Sequence, residues 1–111
     1  MMEDFIKSIV DELTIELKKE VDFDAEILAL KVSNAYREVK LARNYPSSYS
    51  DEMIEKDMQN YYSNIRAIAL YDYNKIGAEG QTSYSADGES IKYVDRKECF
   101  SGIVAIARTV L

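Results

Sequence analysis

The side chains that could carry out chemistry in this chain are almost all carboxylates. The sequence has no histidine and a single cysteine, Cys99, which excludes Ser-His-Asp and Cys-His catalytic arrangements and His-ligated zinc. Adjacent acids such as Asp11-Glu12 and Asp51-Glu52 are the only candidates for an acid–base pair. Their positions at predicted helix starts and on polar faces favour solvation and compensation of the helix dipole instead. We therefore expect no enzyme, no metal site and no cofactor, and a small enzyme with Asp/Glu chemistry is a minor alternative.

One basic pattern is typical of contact with phosphate. Residues 25–49 are net positive in a chain whose 14 basic and 20 acidic side chains give a net charge of −6. Within them, Arg37, Lys40 and Arg43 follow at three-residue steps along one side of a predicted helix. Such a stripe more commonly pairs with acidic neighbours, here the first and third predicted helices. The acidic pI of about 4.7 also argues against a nucleic-acid-binding domain, which usually has a basic surface.

Length and composition favour one small domain covering residues 1–111. A chain of 111 residues has the commonest domain size and can bury enough apolar surface to fold without disulfides or metals. No apolar run approaches the roughly 20 residues that span a bilayer, so we expect no contact with membranes. Residues 1–20 are amphipathic and acidic, unlike a secretory signal. A single cysteine cannot form an internal disulfide, and we expect a protein of the cytoplasm.

The elements that position these side chains are predicted to be helices. Apolar side chains recur at helical spacing over three segments, residues 3–20, 24–43 and 51–76. Candidate N-caps precede the second and third segments: Asp22 or Asp24, and Ser50 or Asp51. Pro46 lies in the polar turn between these two segments, where it excludes a helix. The predicted fold class is therefore mainly α, a three-helix scaffold within residues 1–80.

The chain changes character after the third helix. Between residues 81 and 94, small polar and aromatic residues alternate around Asp87-Gly88, a strong signal for a β-hairpin. The arms contain few apolar side chains, and an isolated two-stranded hairpin is marginal in water. We therefore expect a protruding hairpin that a partner orders.

Residues 95–111 are predicted to form a short helix and a tail. Asp95 and Glu98 resemble a capping box at the start of this helix, and Gly102 ends it. We expect Cys99 to be a small packed side chain rather than a nucleophile. The tail after Gly102 is apolar, so it must be buried in the domain's own core or against another chain.

One sequence run resembles a known family. Residues 69–85 read Ala-Leu-Tyr-Asp-Tyr-Asn-Lys-Ile-Gly-Ala-Glu-Gly-Gln-Thr-Ser-Tyr-Ser, and Asp95-Arg96, Phe100-Ser101-Gly102 and Ile106-Ala107-Arg108 follow. Together they resemble the head–tail connector proteins of tailed bacteriophages and their prophage relatives, also called adaptor or neck proteins. The close match covers residues 69–108, a little over a third of the chain. The chain departs from the family at Ala105, at or near a position where we expect proline.

The resemblance implies a mainly helical subunit that forms a ring under the portal vertex of a phage head. Such a ring, a dodecamer in the virion, extends the channel through which genomic DNA passes without sequence-specific binding. The implied partners are the portal protein and a downstream neck or tail-completion protein, and isolated subunits can be monomeric. The implied location is the head–tail interface of the virion, after assembly in the bacterial cytoplasm. The alternative function is a small helical phage protein for DNA packaging or regulation that binds nucleic acid.

The hairpin and the tail are the predicted contact elements, and the three helices are their scaffold. The apolar side chains of the hairpin have no evident partners in the helical stripes. Exposure of the tail's large side chains would cost about 1.5–3 kcal/mol each, and Arg108 could form a forked pair with a partner's carboxylate. The predicted contact residues are Tyr84, Asp87, Gly88, Ile91, Tyr93, Ile103, Val104, Ile106, Arg108 and Val110.

Overall fold

Helices make up most of the protein in its computed structural model, which describes residues 2–75, 83–86, 89–92 and 96–106. In chain order the elements are α1 (Met2–Leu17), α2 (Ala25–Arg43), α3 (Asp51–Met58), α4 (Tyr62–Lys75), β1 (Ser83–Ala86) and β2 (Glu89–Lys92), with 3₁₀ helices at Gln59–Tyr61 and Arg96–Phe100. The predicted mainly helical fold class is confirmed for the part of the chain that the structure describes.

The core lies where α2 packs against both α1 and α4. Its buried side chains come from the apolar stripes that the sequence predicted, and they are Phe5, Ile9, Leu13, Leu17, Leu28, Val32, Ala35, Tyr36, Val39, Met58, Ile65, Ile68, Ala69 and Tyr73. The ring of Phe5 meets those of Tyr36 and Tyr62 edge to face, at centroid distances of 5.7 and 5.2 Å. Burial of each large aliphatic side chain stabilises the fold by about 1.5–3 kcal/mol, so these stripes are the main source of stability.

Both ends of α2 are fixed by side-chain and backbone chemistry. Of the two candidate N-caps, Asp24 takes the role, since its carboxylate accepts from the N–H groups of Glu26 and Ile27 at 3.0 and 3.1 Å. At the other end Asn44 is left-handed, with a φ of 56°, and its N–H donates to the Leu41 carbonyl. The helix therefore stops immediately before the turn that contains Pro46.

The first helix is shorter than predicted. It ends at Leu17 rather than near residue 20, and the N–H of Glu20 donates to the Leu17 carbonyl in the following turn. Leu17 is the last buried side chain of this helix. A further helical turn would bury no apolar surface, so packing no longer favours it.

The predicted third helix is divided by the 3₁₀ turn Gln59–Tyr61. Its start is as predicted, because Ser50 caps α3 by accepting from the Met53 N–H at 3.1 Å. At the division, the N–H of Tyr62 bonds three residues back to Gln59, and the Asn60 side chain hydrogen-bonds Asp57. This bond joins two side chains three residues apart at the division, and the apolar spacing does not report it.

Strands β1 and β2 pair with each other antiparallel. Ser83 lies opposite Lys92 and Ala86 opposite Glu89 in this register. The predicted turn at residues 87–88 lies outside the described residues, as do residues 93–95. The short helix predicted after Asp95 is a 3₁₀ helix, Arg96–Phe100.

Candidate functional site: the C-terminal clasp

Residues 96–106, which we call the clasp, lie against the helical scaffold. Several of these residues belong to the family-like sequence. Polar groups of the scaffold hold the clasp at three points. These points are Arg96, the turn at residues 99–102, and the backbone at residues 104–106. All three contacts use charged or amide groups, in contrast to the apolar stripes of the core.

Arg96 forms the first point through a forked ion pair. Its Nε and Nη2 donate to Oδ1 and Oδ2 of Asp72 on α4 at 2.8 and 2.9 Å. Its Nη2 also lies 2.8 Å from Oε2 of Glu38 on α2, and its guanidinium lies 5.6 Å from the Phe100 ring centroid. The hydrogen bond to Asp72 is the main cause of the raised pKa of Arg96, against the opposing effect of burial. Arg96 therefore ties the start of the clasp to two helices at once.

Asn64 of α4 forms the second point. Its Nδ2 donates to the backbone carbonyls of Cys99 and Ser101 at 2.8 and 2.9 Å. Gly102 ends the 3₁₀ helix as predicted, with a φ of +85° that favours glycine. Cys99 is half-buried and packs against the core, as expected of a small packed side chain.

Arg43, the last residue of α2, forms the third point. Its Nη1 donates to the Val104 carbonyl at 2.6 Å, and its own carbonyl accepts from the Ile106 N–H at 2.7 Å. Its Nε donates to Oδ2 of Asp57 at 2.9 Å. Its guanidinium lies 5.2 Å from the Tyr61 ring centroid. The end of α2 and the root of the tail are therefore joined by two hydrogen bonds.

Asp57 holds Arg43 in this position. The Tyr45 hydroxyl also donates to Asp57 Oδ2, at 2.5 Å. Burial opposes ionisation of Asp57, but the hydrogen bonds from Tyr45 and Arg43 outweigh it and keep the pKa of the carboxyl below its ordinary value. Burial, followed by the hydrogen bond to Asp57, raises the pKa of Tyr45. At neutral pH, Asp57 is therefore an ionised carboxylate, Tyr45 a neutral phenol and Arg43 a charged guanidinium.

The structure places three predicted contact residues in the clasp. Ile103 packs against the core, Ile106 is half-buried, and Val104 is 68% exposed. The backbones of Tyr84 and Ile91 lie opposite each other in β1 and β2. The remaining predicted residues, Asp87, Gly88, Tyr93, Arg108 and Val110, lie outside the described residues. Up to Ile106 the tail lies on its own scaffold, and its contact with another chain stays a prediction.

Only some of the residues that hold the clasp stand out in the sequence, such as Arg43 in the basic stripe of α2. Asn64 and Glu38 are ordinary polar residues on helix faces, and nothing near them in the sequence marks their partners. Asp72 and Arg96 both belong to the family-like run. This shared membership is the one signal that could have identified their ion pair.

The basic stripe of α2 is divided between two environments. Arg43 pairs with Asp57 of α3, so the predicted pairing with an acidic neighbour is found at this position. Arg37 and Lys40 are exposed, and they line a groove of about 550 Å³ at the end of α2. The three cations therefore do not form one phosphate-binding face.

Other kinds of site find no support in the described part of the chain. These residues contain no group of three or more His, Cys, Asp or Glu side chains that could hold a metal ion. None of their helices is long and apolar enough to cross a membrane. No protein-family model, curated protein or solved structure matches the chain. The features that bear on its function are therefore the resemblance over residues 69–108 and the clasp.

Proposed function

We propose that the chain is a structural virion protein that joins the portal vertex of a phage head to the tail. It forms a ring, a dodecamer in the virion, that extends the channel for genomic DNA beyond the portal protein. A downstream neck or tail-completion protein binds the other side of the ring. The subunit is made in the bacterial cytoplasm, acts at the head–tail interface of the virion, and needs neither catalysis nor a cofactor.

The observation that most supports this proposal is the ion pair between Asp72 and Arg96. Both residues belong to the family-like sequence, although they are 24 positions apart. Other residues of that sequence contribute to the same clasp: Phe100 packs against the core, Gly102 provides the turn, and Ile106 bonds the end of α2. The separated parts of the resemblance thus serve one purpose, which is to hold the C-terminal segment on the helices.

In this proposal a protruding hairpin near residues 81–94 and the tail 103–111 contact neighbouring subunits or the portal protein. Strands β1 and β2 are four residues long, and within the described residues they form a sheet of two. Such a sheet is marginal without further packing. Val104, in the clasp, adds exposed apolar surface, and in this proposal a second subunit would complete both elements.

The charge balance suits a conduit for DNA. Lysine and arginine contacts with phosphates supply most of the affinity of a protein for DNA. A ring whose subunits each have a net charge of −6 would let the duplex slide without trapping it. The acidic composition therefore agrees with passage of DNA rather than with storage or recognition of it.

The test is co-assembly with the portal ring encoded by the same genome. Purified chain and portal ring are mixed and examined by negative-stain electron microscopy and light scattering, with each component alone as a reference. We expect an added coaxial ring on the portal. Asp72→Asn should weaken the addition, whereas Lys56→Ala, on an exposed face of α3, should not. A portal ring that stays bare in excess chain would contradict the proposal.

The alternative is a small phage DNA-packaging or regulatory protein that binds nucleic acid. The exposed Arg37 and Lys40 favour it, and the engagement of Arg43 with Asp57 argues against it. A mobility shift of duplex DNA that weakens steeply with salt, lost in Arg37→Ala/Lys40→Ala, would support this alternative. We expect no such shift.

A further inference from the structure

The groove at the C-terminal end of α2 has a chemistry that the clasp does not use. It has a volume of about 550 Å³ and lies between the last turns of α2, the following loop and α3. We call it the socket, and its principal lining residues are Arg37, Lys40, Leu41, Tyr45, Tyr49 and Ile54. The Leu41 side chain is 79% exposed, so the socket offers open apolar surface.

The socket combines this apolar surface with two cations. Arg37 and Lys40 are exposed, and neither forms an ion pair or side-chain hydrogen bond with another described residue. The rings of Tyr45 and Tyr49 lie 5.6 Å apart, and the bond from Tyr45 to Asp57 fixes this aromatic wall. The ligand that suits such a site has an apolar side chain flanked by carboxylates.

The turn between α1 and α2 presents a segment of this kind. The N–H of Phe23 donates to the Glu20 carbonyl at 3.3 Å, which places Val21 and Asp22 at the tip of the turn. Val21 is 100% exposed, and both acids are exposed as well. We call Glu20-Val21-Asp22 the knob. Its apolar side chain stands between two carboxylates.

The two residues that follow the knob are anchored to the scaffold. Phe23 packs against the core, with its ring centroid 6.1 Å from that of Tyr73. The N–H of Asp24 donates to the Tyr73 hydroxyl at 2.9 Å. The two residues that follow the knob are therefore held on α4 by these contacts.

The knob and the socket lie at opposite ends of α2. This helix has 19 residues and is therefore about 28 Å long. The two surfaces cannot meet within one chain, but they can meet between two copies arranged head to tail. A contact between two different patches of the same chain generates a closed ring when its rotation closes.

We propose that the socket of one subunit receives the knob of the next. The carboxylates of the knob pair with Arg37 and Lys40, while Val21 packs against Leu41. The inference rests on the proposed ring, for which it supplies the contact between neighbouring subunits.

Charge reversal tests this contact. The socket variant is Arg37→Glu/Lys40→Glu and the knob variant is Glu20→Lys/Asp22→Lys. The matched control, Glu3→Lys/Asp4→Lys, makes the knob variant's charge change in the exposed first turn of α1. Assembly of each full-length chain is measured by sedimentation velocity, alone and on the portal ring, after circular dichroism has verified the helices.

We expect the wild type and the control to assemble and each reversed variant to lose assembly. An equimolar mixture of the two reversed variants should regain it, because each altered surface then meets a complementary one. Reversed variants that assemble like the wild type would overturn the inference and leave the ring function standing. Loss of portal binding with intact self-association would also overturn it, because the portal would then occupy the socket. A wild type that forms no ring even on the portal would refute the function and the inference together.

A crosslink gives a second readout that does not depend on charge. In a Cys99→Ser background, Val21→Cys/Leu41→Cys is treated with a short bis-maleimide during assembly on the portal ring. We expect a ladder of covalent oligomers, and a chain with only one of the two cysteines should stop at the dimer or below. Assembled rings that yield no ladder would contradict the contact between knob and socket.

Discussion

The helical core and the clasp differ in the interactions that hold them. The buried side chains of the described helices are all apolar or aromatic, and no buried residue of the described chain is charged. The clasp packs Cys99, Phe100 and Ile103 against this core, and it is also held by polar contacts from Asp72, Asn64 and Arg43. Apolar burial has no direction, whereas a hydrogen bond needs its partner at a definite distance and angle. The core therefore decides whether the chain folds, and the clasp decides where residues 96–106 lie.

The largest effect should come from the core. Ile65→Ala removes a fully buried side chain, and we expect the free energy of unfolding to fall by about 3 kcal/mol. The measurement is urea unfolding followed by far-ultraviolet circular dichroism. Ile15→Ala, at a site that is 67% exposed, should change the free energy by less than about 0.5 kcal/mol. Equal effects of the two variants would show that the core is not where the structure places it.

Arg96→Ala should release the clasp without melting the helices. The pair is partly exposed, so solvent reduces its strength, and we expect a local loss of about 1–2 kcal/mol. Hydrogen exchange of amides 98–106 should speed up by about tenfold, while the urea midpoint of the helical signal changes little. Arg96→Lys keeps the positive charge but cannot form the forked pair. Its hydrogen-exchange rates should lie between those of the wild type and Arg96→Ala. An unchanged exchange rate in Arg96→Ala would contradict the comparison.

The core is easier to predict from the sequence than the clasp, because the apolar spacing that predicts it is local in the chain. The core stripes and the caps Asp24 and Ser50 depend on neighbours within one or two helical turns, so spacing and residue type predict the stripes and narrow each cap to two candidates. The pair Asp72–Arg96 and the bond from Asn64 to Cys99 join positions 24 and 35 residues apart. Their geometry exists only after the helices have packed, and no local pattern encodes it.

The two regions also differ in what the sequence left open. The apolar composition of the tail requires that it be buried but does not specify the surface that covers it. Burial in the core of the same chain and burial against another chain therefore both agree with the sequence. The division at Gln59–Tyr61 was missed for a different reason. Apolar spacing continues through it and does not report the side-chain hydrogen bond between Asn60 and Asp57 that lies there.

Substitution of Asn64 tests a single contact of the clasp, and its expected effect on local stability is smaller than that of Arg96→Ala. Asn64→Asp has nearly the same shape, but it replaces an amide donor by a carboxylate that faces the carbonyls of Cys99 and Ser101. We expect a local loss of about 1 kcal/mol, seen as faster hydrogen exchange at residues 99–103. Asn64→Ala only removes the donor and should have the smaller effect. The opposite order would show that packing, rather than hydrogen bonding, holds this turn.

The smallest effect is a pH dependence at Asp57. Its folded-state pKa lies below the ordinary value of 3.8, so its ionised form stabilises the protein above about pH 4. This contribution should disappear as the pH falls through the folded-state pKa. The melting temperature of the wild type should exceed that of Asp57→Asn at pH 7, and the difference should shrink below pH 4. A difference that does not change between pH 7 and pH 3 would contradict the ionised pair.

The bond from the Ile106 N–H to the Arg43 carbonyl has a consequence for assembly. That carbonyl is among the last four of α2, which have no partner within the helix. The backbone of the tail therefore supplies a hydrogen bond that the helix cannot supply itself. We expect loss of this bond to fray the turn that presents the socket, and a knob bound in the socket to stiffen the turn that retains the tail. By thermodynamic reciprocity the two events share one coupling free energy. In the proposed ring, a tail captured by a partner at one subunit would therefore loosen that subunit's grip on its neighbour.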